Sequence, residues 1–426
     1  MIVRPGAAVI PAPARLGPED ELGAEGYRLE VRDGRARVDA ETDAGRFYAE
    51  RTLSRLSADG PAPDVAIADR PRFAWRGFML DVARHFFGVA DVCRLIDRLA
   101  DYKLNVLHLH LSDDQGWRIA IDAWPRLAEH GGSGAASGGA GGCYSQDDLR
   151  AIVRYAAERH VTVVPEIDTP GHVQAALASY PELGAPGSSS ALYGGVEVGF
   201  SSLDVHAELT YRFLDDVFGE LAALAPGEFL HVGGDEAHST SRADYRAFVE
   251  RVRPLVAARG KRLAGWEEIA SAPLPGGAVV QLWNTAGGEG AELARAAVKQ
   301  GAQLVMSPAD RIYLDMKYDA GTPLGQDWAG HVEVRDSYDW DPAKLVAGVP
   351  EEAIAGVEAP LWTETIATMQ ELETMVFPRL CAVAEVAWTP QARRNWGDFR
   401  ARLAGEGVLW DAAGMAYHRS PQVDWR

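Results

Sequence analysis

Phe229-Leu230-His231-Val232-Gly233-Gly234-Asp235-Glu236 is a short apolar run that breaks at a glycine pair and ends in two adjacent carboxylates. A run of this length has the pattern of a buried strand, and glycine at its end lets the backbone bend or approach a ligand closely. Like charges side by side raise each other's cost of ionisation, so stability alone explains the pair poorly. A division of labour explains it better, with one carboxyl protonated and donating, the other ionised and accepting. The plainer alternative is a solvated pair capping the next helix. The rest of the chain decides between the two.

Seven other strand-like runs surround this one: Gly77–Val82, Val106–Leu111, Val161–Ile167, Arg262–Trp266, Val279–Trp283, Gln303–Met306 and Ile354–Leu361. Between them lie segments of helical period. Val92, Leu95, Ile96 and Leu99 share one face, as do Leu149, Ile152, Val153 and Ala156, and then Phe213, Val217 and Leu221. Eight such units in one stretch predict an α/β fold, a (β/α)8 TIM barrel over residues 71–426. A doubly wound open sheet is the competitor, but no glycine-rich dinucleotide fingerprint follows the first strand. Residues 1–70 read as a small α+β domain, with strands Tyr27–Val31 and Ala36–Ala40 and a helix from about Asp43. Pro61, Pro63 and Asp69–Arg72 mark a linker. The glycine-serine run Gly131–Gly142 reads as a flexible loop, and no Lys-Ser/Thr follows it to make a phosphate cradle.

Composition narrows the function. The 426 residues are 47% hydrophobic and 24% charged, with a net charge of −19, which repels nucleic acid and anionic membrane surfaces. No apolar stretch is long enough to span a bilayer. Prolines interrupt the short apolar opening Met1–Ala14, making it a poor signal peptide. Cys93, Cys143 and Cys381 are far apart and form no disulfide framework. The expected location is therefore cytoplasmic, although an exported precursor is compatible with the same chain.

In such a barrel the chemistry gathers where strands run out at their C-terminal ends. Here those ends carry Asp81 with Arg84 and His85, then Ser112–Gln115, then Glu166, Asp168 and His172, then Asp235 and Glu236. Later ends carry Trp266, Trp283, Tyr313 with Asp315, and Trp362 with Glu364, and Trp328 lies in a loop between the last two. Tryptophans among carboxylates and an arginine describe a sugar pocket, because indole faces cover pyranose rings while charged groups take hydroxyls. A metal-dependent hydrolase is the alternative, since His108 and His110 share one face of a strand. Strands five and six end in Trp, which cannot ligate, so these histidines read as core or supporting groups and no metal is expected.

These motifs resemble those of the family 20 glycoside hydrolases, the β-N-acetylhexosaminidases. The resemblance rests on His231–Glu236 together with Leu80–Phe87, His108–Trp117, Val164–His172, Tyr313–Lys317 and Glu358–Glu364, in that order, and spans residues 73–426. It implies an exo-acting, retaining enzyme that removes terminal GlcNAc or GalNAc without a cofactor, using the substrate's own acetamido group as nucleophile. It further implies Glu236 as general acid and base, and Asp235 and Tyr313 as the groups holding the acetamido N–H and oxygen. Trp266, Trp283 and Trp362 would box the acetamido methyl. Arg84 and Glu364 would grip hydroxyls at the far end of the ring, with Asp315 and Trp328 near the 6-hydroxyl. Asp113 and His172 would form a pair behind the general acid. Release of a disaccharide and non-catalytic sugar binding are the alternatives within the same pocket. Members usually carry a longer domain before the barrel than the 70 residues seen here.

Overall fold

The computed structural model describes residues 21–58, 60–284 and 288–426. Three antiparallel strands, β1 (Tyr27–Arg32), β2 (Arg35–Ala40) and β3 (Val65–Asp69), form a sheet in the order β2-β1-β3. Helix Asp43–Leu56 packs on its apolar face, and Tyr27, Leu29, Val31, Tyr48 and Ile67 form a small core there. The third strand corrects the sequence reading, which took Asp69 as linker. Flanking prolines hide a five-residue strand whose pairing with β1 is set only by the fold.

Eight parallel strands then close into a barrel: β4 (Trp75–Asp81), β5 (Val106–His110), β6 (Thr162–Glu166), β7 (Phe229–His231), β8 (Arg262–Trp266), β9 (Val279–Leu282), β10 (Gln303–Met306) and β11 (Ile354–Leu361). They lie within one or two residues of the expected runs, the usual uncertainty of element ends. The helical faces read from the sequence are buried: Val92, Leu95, Ile96 and Leu99 in helix Val89–Asp101, and Phe213, Val217 and Leu221 in helix Glu208–Leu224. No helix among the described residues is long and apolar enough to cross a membrane.

The barrel interior is layered. Trp75, Val106, Val164, Ala264, Val279 and Val305 fill its N-terminal end. Two residues further along the same strands, side chains of the same inward face are polar: His108, Glu166, Trp266 and Gln281. All four are buried. A polar layer in place of the usual branched aliphatic one needs complete pairing, and it lies directly beneath the strand ends.

The glycine-serine loop is also corrected. Gly131–Ser133 and Ala136–Gly138 form short 3-10 turns. The buried Arg118 guanidinium donates to the carbonyls of Gly132 at 3.1 Å, Gly142 at 3.0 Å and Gly134 at 2.8 Å. Small residues let two stretches of this loop converge on one cation, so the composition reports close approach here.

Candidate active site

The end of β7 is shaped by its glycines. Gly233 and Gly234 have φ of 69° and 109°, and the next turn puts Glu236 at φ 44°, in the left-handed region. A Cβ on Gly233 would lie 1.8 Å from Asp168 Oδ1, and one on Gly234 would lie 2.7 Å from the Tyr245 hydroxyl. The glycine pair therefore lets the chain turn beneath its neighbours and present both carboxylates to the cavity. His172, on the turn after β6, also has positive φ, 55°. Two non-glycine residues held in this uncommon region, facing each other, mark a site the surrounding fold over-determines.

A cavity of about 400 Å³ opens at the C-terminal end of the barrel. Arg84, His172, Asp235, Glu236, Trp283, Tyr313, Asp315, Trp328, Trp362 and Glu364 line it, ten of the twelve residues expected from the sequence. Asp113 and Trp266 stand behind this wall. The Trp266 indole N–H donates to Glu166 at 2.9 Å and its ring packs 5.8 Å from Trp362. Trp283 and Tyr313 each meet Trp328 edge-on at 5.9 Å.

His172 joins the two carboxylates to what lies behind them. Its Nε2 is 3.6 Å from Glu236 and 3.8 Å from Asp235, and its Nδ1 is 3.1 Å from Asp113. Burial alone would lower the basicity of this imidazole, but the charges of Asp113 and Asp235 hold it well above the ordinary histidine range. Asp113 also takes the Arg84 guanidinium at 2.9 Å. Burial would raise the Asp113 carboxyl, yet Arg84, His172 and the hydrogen bond from His110 keep it far below the usual carboxylate range. Arg84 further contacts Gln115 at 3.0 Å and stacks over Trp362 at 4.9 Å.

Asp168 is a residue that the sequence placed at a strand end without assigning it a role. Its Oδ1 accepts from Gly234 N–H at 3.0 Å, and it faces Asp235. Burial first, and the Asp235 charge second, push its carboxyl well up, and burial raises the Asp235 carboxyl too, so the two titrate as a pair. Tyr313 stays a neutral phenol, its acidity suppressed by burial and by Asp235. Both oxygens of Asp315 and Oε2 of Glu364 are buried without a hydrogen-bond partner, and burial pushes both carboxyls above the ordinary range.

Val196, Val198 and Gln326 complete the lining, and the sequence reading missed all three. They lie on irregular segments, where no periodicity points to a shared surface. Among the described residues, four groups have donor atoms close enough to gather round a cation, such as His108, Glu166 and His231. In that group the imidazole nitrogens lie 3.0 and 2.8 Å from the carboxylate, and His231 Nδ1 also accepts from Gly233 N–H at 3.1 Å.

The catalytic-domain model of glycosyl hydrolase family 20 matches residues 73–391, and the model of domain 2 of that family matches residues 4–70. A β-N-acetylhexosaminidase of Cellulomonas fimi is 47% identical over 416 residues, covering 96% of this chain and 84% of that relative. The structure of the Streptomyces plicatus N-acetyl-β-hexosaminidase in complex with Thio-NAglucal superposes with a TM-score of 0.92 at 53% identity, covering 97% of this chain and 85% of that one. A family 20 β-N-acetylhexosaminidase from Streptomyces coelicolor A3(2) gives a TM-score of 0.93 at 53% identity, with coverage of 96% and 85%.

Proposed function

The chain belongs to glycosyl hydrolase family 20 and is an enzyme of the β-N-acetylhexosaminidase type, and from that premise we propose that it removes terminal β-linked GlcNAc or GalNAc by substrate-assisted catalysis with retention. The observation that carries this reading is the placement of Asp235 and Glu236. They are adjacent, reach the same cavity from one turn and share His172 as a neighbour. Two carboxylates so placed serve two atoms on one side of the sugar and are poorly set to flank a single bond as acid and nucleophile.

In the first step Glu236 gives its proton to the glycosidic oxygen as the C1–O bond breaks. The acetamido carbonyl oxygen attacks C1 within the same sugar, forming an oxazolinium ring, and preset geometry favours this internal attack. Asp235 accepts the acetamido N–H and stabilises the positive charge developing there. Tyr313 donates a hydrogen bond from its hydroxyl to the acetamido oxygen, fixing the attack angle. Trp283 and Trp362, backed by Trp266, enclose the methyl group and exclude water. In the second step Glu236 takes a proton from water, the hydroxyl attacks C1, and the oxazoline opens to restore the acetamido group with net retention.

The acceptors of Asp315 and Glu364, with Arg84, fit hydroxyls at the non-reducing end, which supports exo action. A chromogenic β-N-acetylglucosaminide compared with the matching β-glucoside tests the reading. Turnover of the first alone is expected. Equal turnover of both would require a protein nucleophile and end the substrate-assisted scheme.

A further inference from the structure

His108 and His110 stand on the inner face of β5, and nothing in the reaction above uses them. Between the barrel floor and the cavity they belong to a continuous line of alternating carboxylates and imidazoles. Glu358, anchored by the Trp75 indole at 2.8 Å and Gln281 at 3.0 Å, meets His108 Nδ1 at 2.8 Å. His108 Nε2 lies 3.0 Å from Glu166 Oε2, and the same oxygen is 2.5 Å from His110 Nδ1. His110 Nε2 is 2.7 Å from Asp113 Oδ2, whose other oxygen meets His172. His172 ends the line 3.6 Å from Glu236.

We propose that His110 is a positioning residue for the general acid: fixed at one nitrogen by Glu166, it clamps the Asp113 carboxylate with the other and so aims His172 at Glu236. The proposal rests on Glu236 being the general acid, as inferred above. Three features carry it. Both ring nitrogens of His110 face carboxylate oxygens at hydrogen-bond distance, so the ring donates in both directions and cannot rotate without losing both bonds. Glu166 is itself held by the Trp266 indole at 2.9 Å and packed between His108 and His231, whose nearest nitrogens are 3.0 and 2.8 Å away. The edge of His110 also meets the Trp362 ring at 4.9 Å and 80°, so the same imidazole backs a wall of the cavity.

The groups facing His110 are Glu166 and Asp168 from the end of β6, Asp113 from the turn after β5, and the Trp362 ring from the end of β11. Burial alone would make the imidazole less basic. The Glu166 charge and the Asp113 hydrogen bond reverse that and keep it well above the ordinary range, consistent with a doubly protonated clamp.

A space-filling role and a positioning role separate by leaving group. A 2,4-dinitrophenyl β-N-acetylglucosaminide departs without protonation, whereas the phenyl analogue needs the general acid, and kcat/KM reports the bond-breaking step for both. The variants are His110→Asn and His110→Gln, beside wild type and Glu236→Gln. An Asn amide reaches about as far as Nδ1, keeping Glu166 and losing Asp113. A Gln amide reaches about as far as Nε2 and keeps Asp113.

For His110→Asn the expected result is a kcat/KM loss of ~10- to 100-fold on the phenyl substrate. The loss on the dinitrophenyl substrate should stay within about threefold. His110→Gln should recover most of the phenyl activity. If His110→Asn does not fold, His110→Ala removes the same link to Asp113 and carries the same contrast. Equal losses on both substrates, no loss in His110→Asn, or no recovery in His110→Gln overturn the proposal while wild type and Glu236→Gln still show the general-acid pattern. Absence of leaving-group dependence in Glu236→Gln overturns the underlying assignment, and the proposal with it.

Discussion

The two ends of the barrel bury similar polar side chains to opposite purpose. At the N-terminal end, where the small sheet docks, Lys103 Nζ donates to the Tyr27 hydroxyl at 2.8 Å and to Asp69 at 3.2 Å. Tyr27 donates to Asp69 at 2.8 Å and the Trp388 indole donates to it at 3.0 Å. Arg76 forks onto both oxygens of Glu25 at 2.7 and 2.8 Å. Each of these side chains is paired. At the C-terminal end the oxygens of Asp315, one oxygen of Asp235, one of Glu364 and Nε2 of His172 are buried without a hydrogen-bond partner. A satisfied buried network fixes how two parts of a chain meet, while an unsatisfied one costs stability and is available for a ligand. Polarity and burial alone do not tell floor from site. For these side chains the difference is completeness of pairing.

That contrast breaks most visibly at the catalytic carboxylates. Glu236→Gln and Asp235→Asn should each lower kcat/KM on an aryl β-N-acetylglucosaminide with a poor leaving group by ~100-fold or more. The melting temperature of Asp235→Asn should rise, because burial and the Glu236 charge outweigh the His172 imidazole and oppose ionisation of this carboxyl. A fall in melting temperature would place Asp235 with the structural network.

The floor should answer in the other sense. Lys103→Met leaves Asp69 buried without its cation and should cost about 3 kcal/mol of unfolding free energy. The urea midpoint reads this loss, and kcat/KM of the folded variant should match wild type. A drop in activity at constant stability would mean that the floor reaches the site.

The pH dependence sharpens the same line. Burial would lower the His108 imidazole, but the charges of Glu166 and Glu358 raise it to about 9 from an ordinary 6.5. A histidine whose basicity is raised on folding contributes its full stabilisation below 6.5 and loses it as pH climbs through about 9. The melting temperature should therefore fall across that window, and less steeply in His108→Gln. An unchanged slope in the variant would assign the effect to other groups. The smallest effect belongs to Trp328, which is 57% exposed at the cavity mouth. Trp328→Ala should raise KM about three- to tenfold, leaving the melting temperature within a degree or so.

Much of the site was legible because its members sit at strand ends, where the two-residue period of a strand and the alternation of strand and helix place them on one rim. Asp235, Glu236, Trp283 and Trp362 are of this kind. Asp168 showed the same signal but drew no role, because a third carboxylate gains meaning only from the neighbour that it faces. Val196, Val198 and Gln326 gave no signal, being on irregular loops. The strand Val65–Asp69 and the ordered loop around Arg118 were misread for one reason. Proline, glycine and serine report local freedom, and tertiary contacts had removed it.

Sequence by itself determined the barrel, the order of its strand-end residues and the family, since these depend on periodicity and on which residue types stand at which offsets. Tertiary structure alone decided which buried polar groups are paired. Only folding brings together His108, His110, Glu166, His172 and Glu358 from three separate segments, or seats Lys103 on Asp69. Hydrogen bonds act over about 3 Å in space, while their partners here lie tens to hundreds of residues apart along the chain.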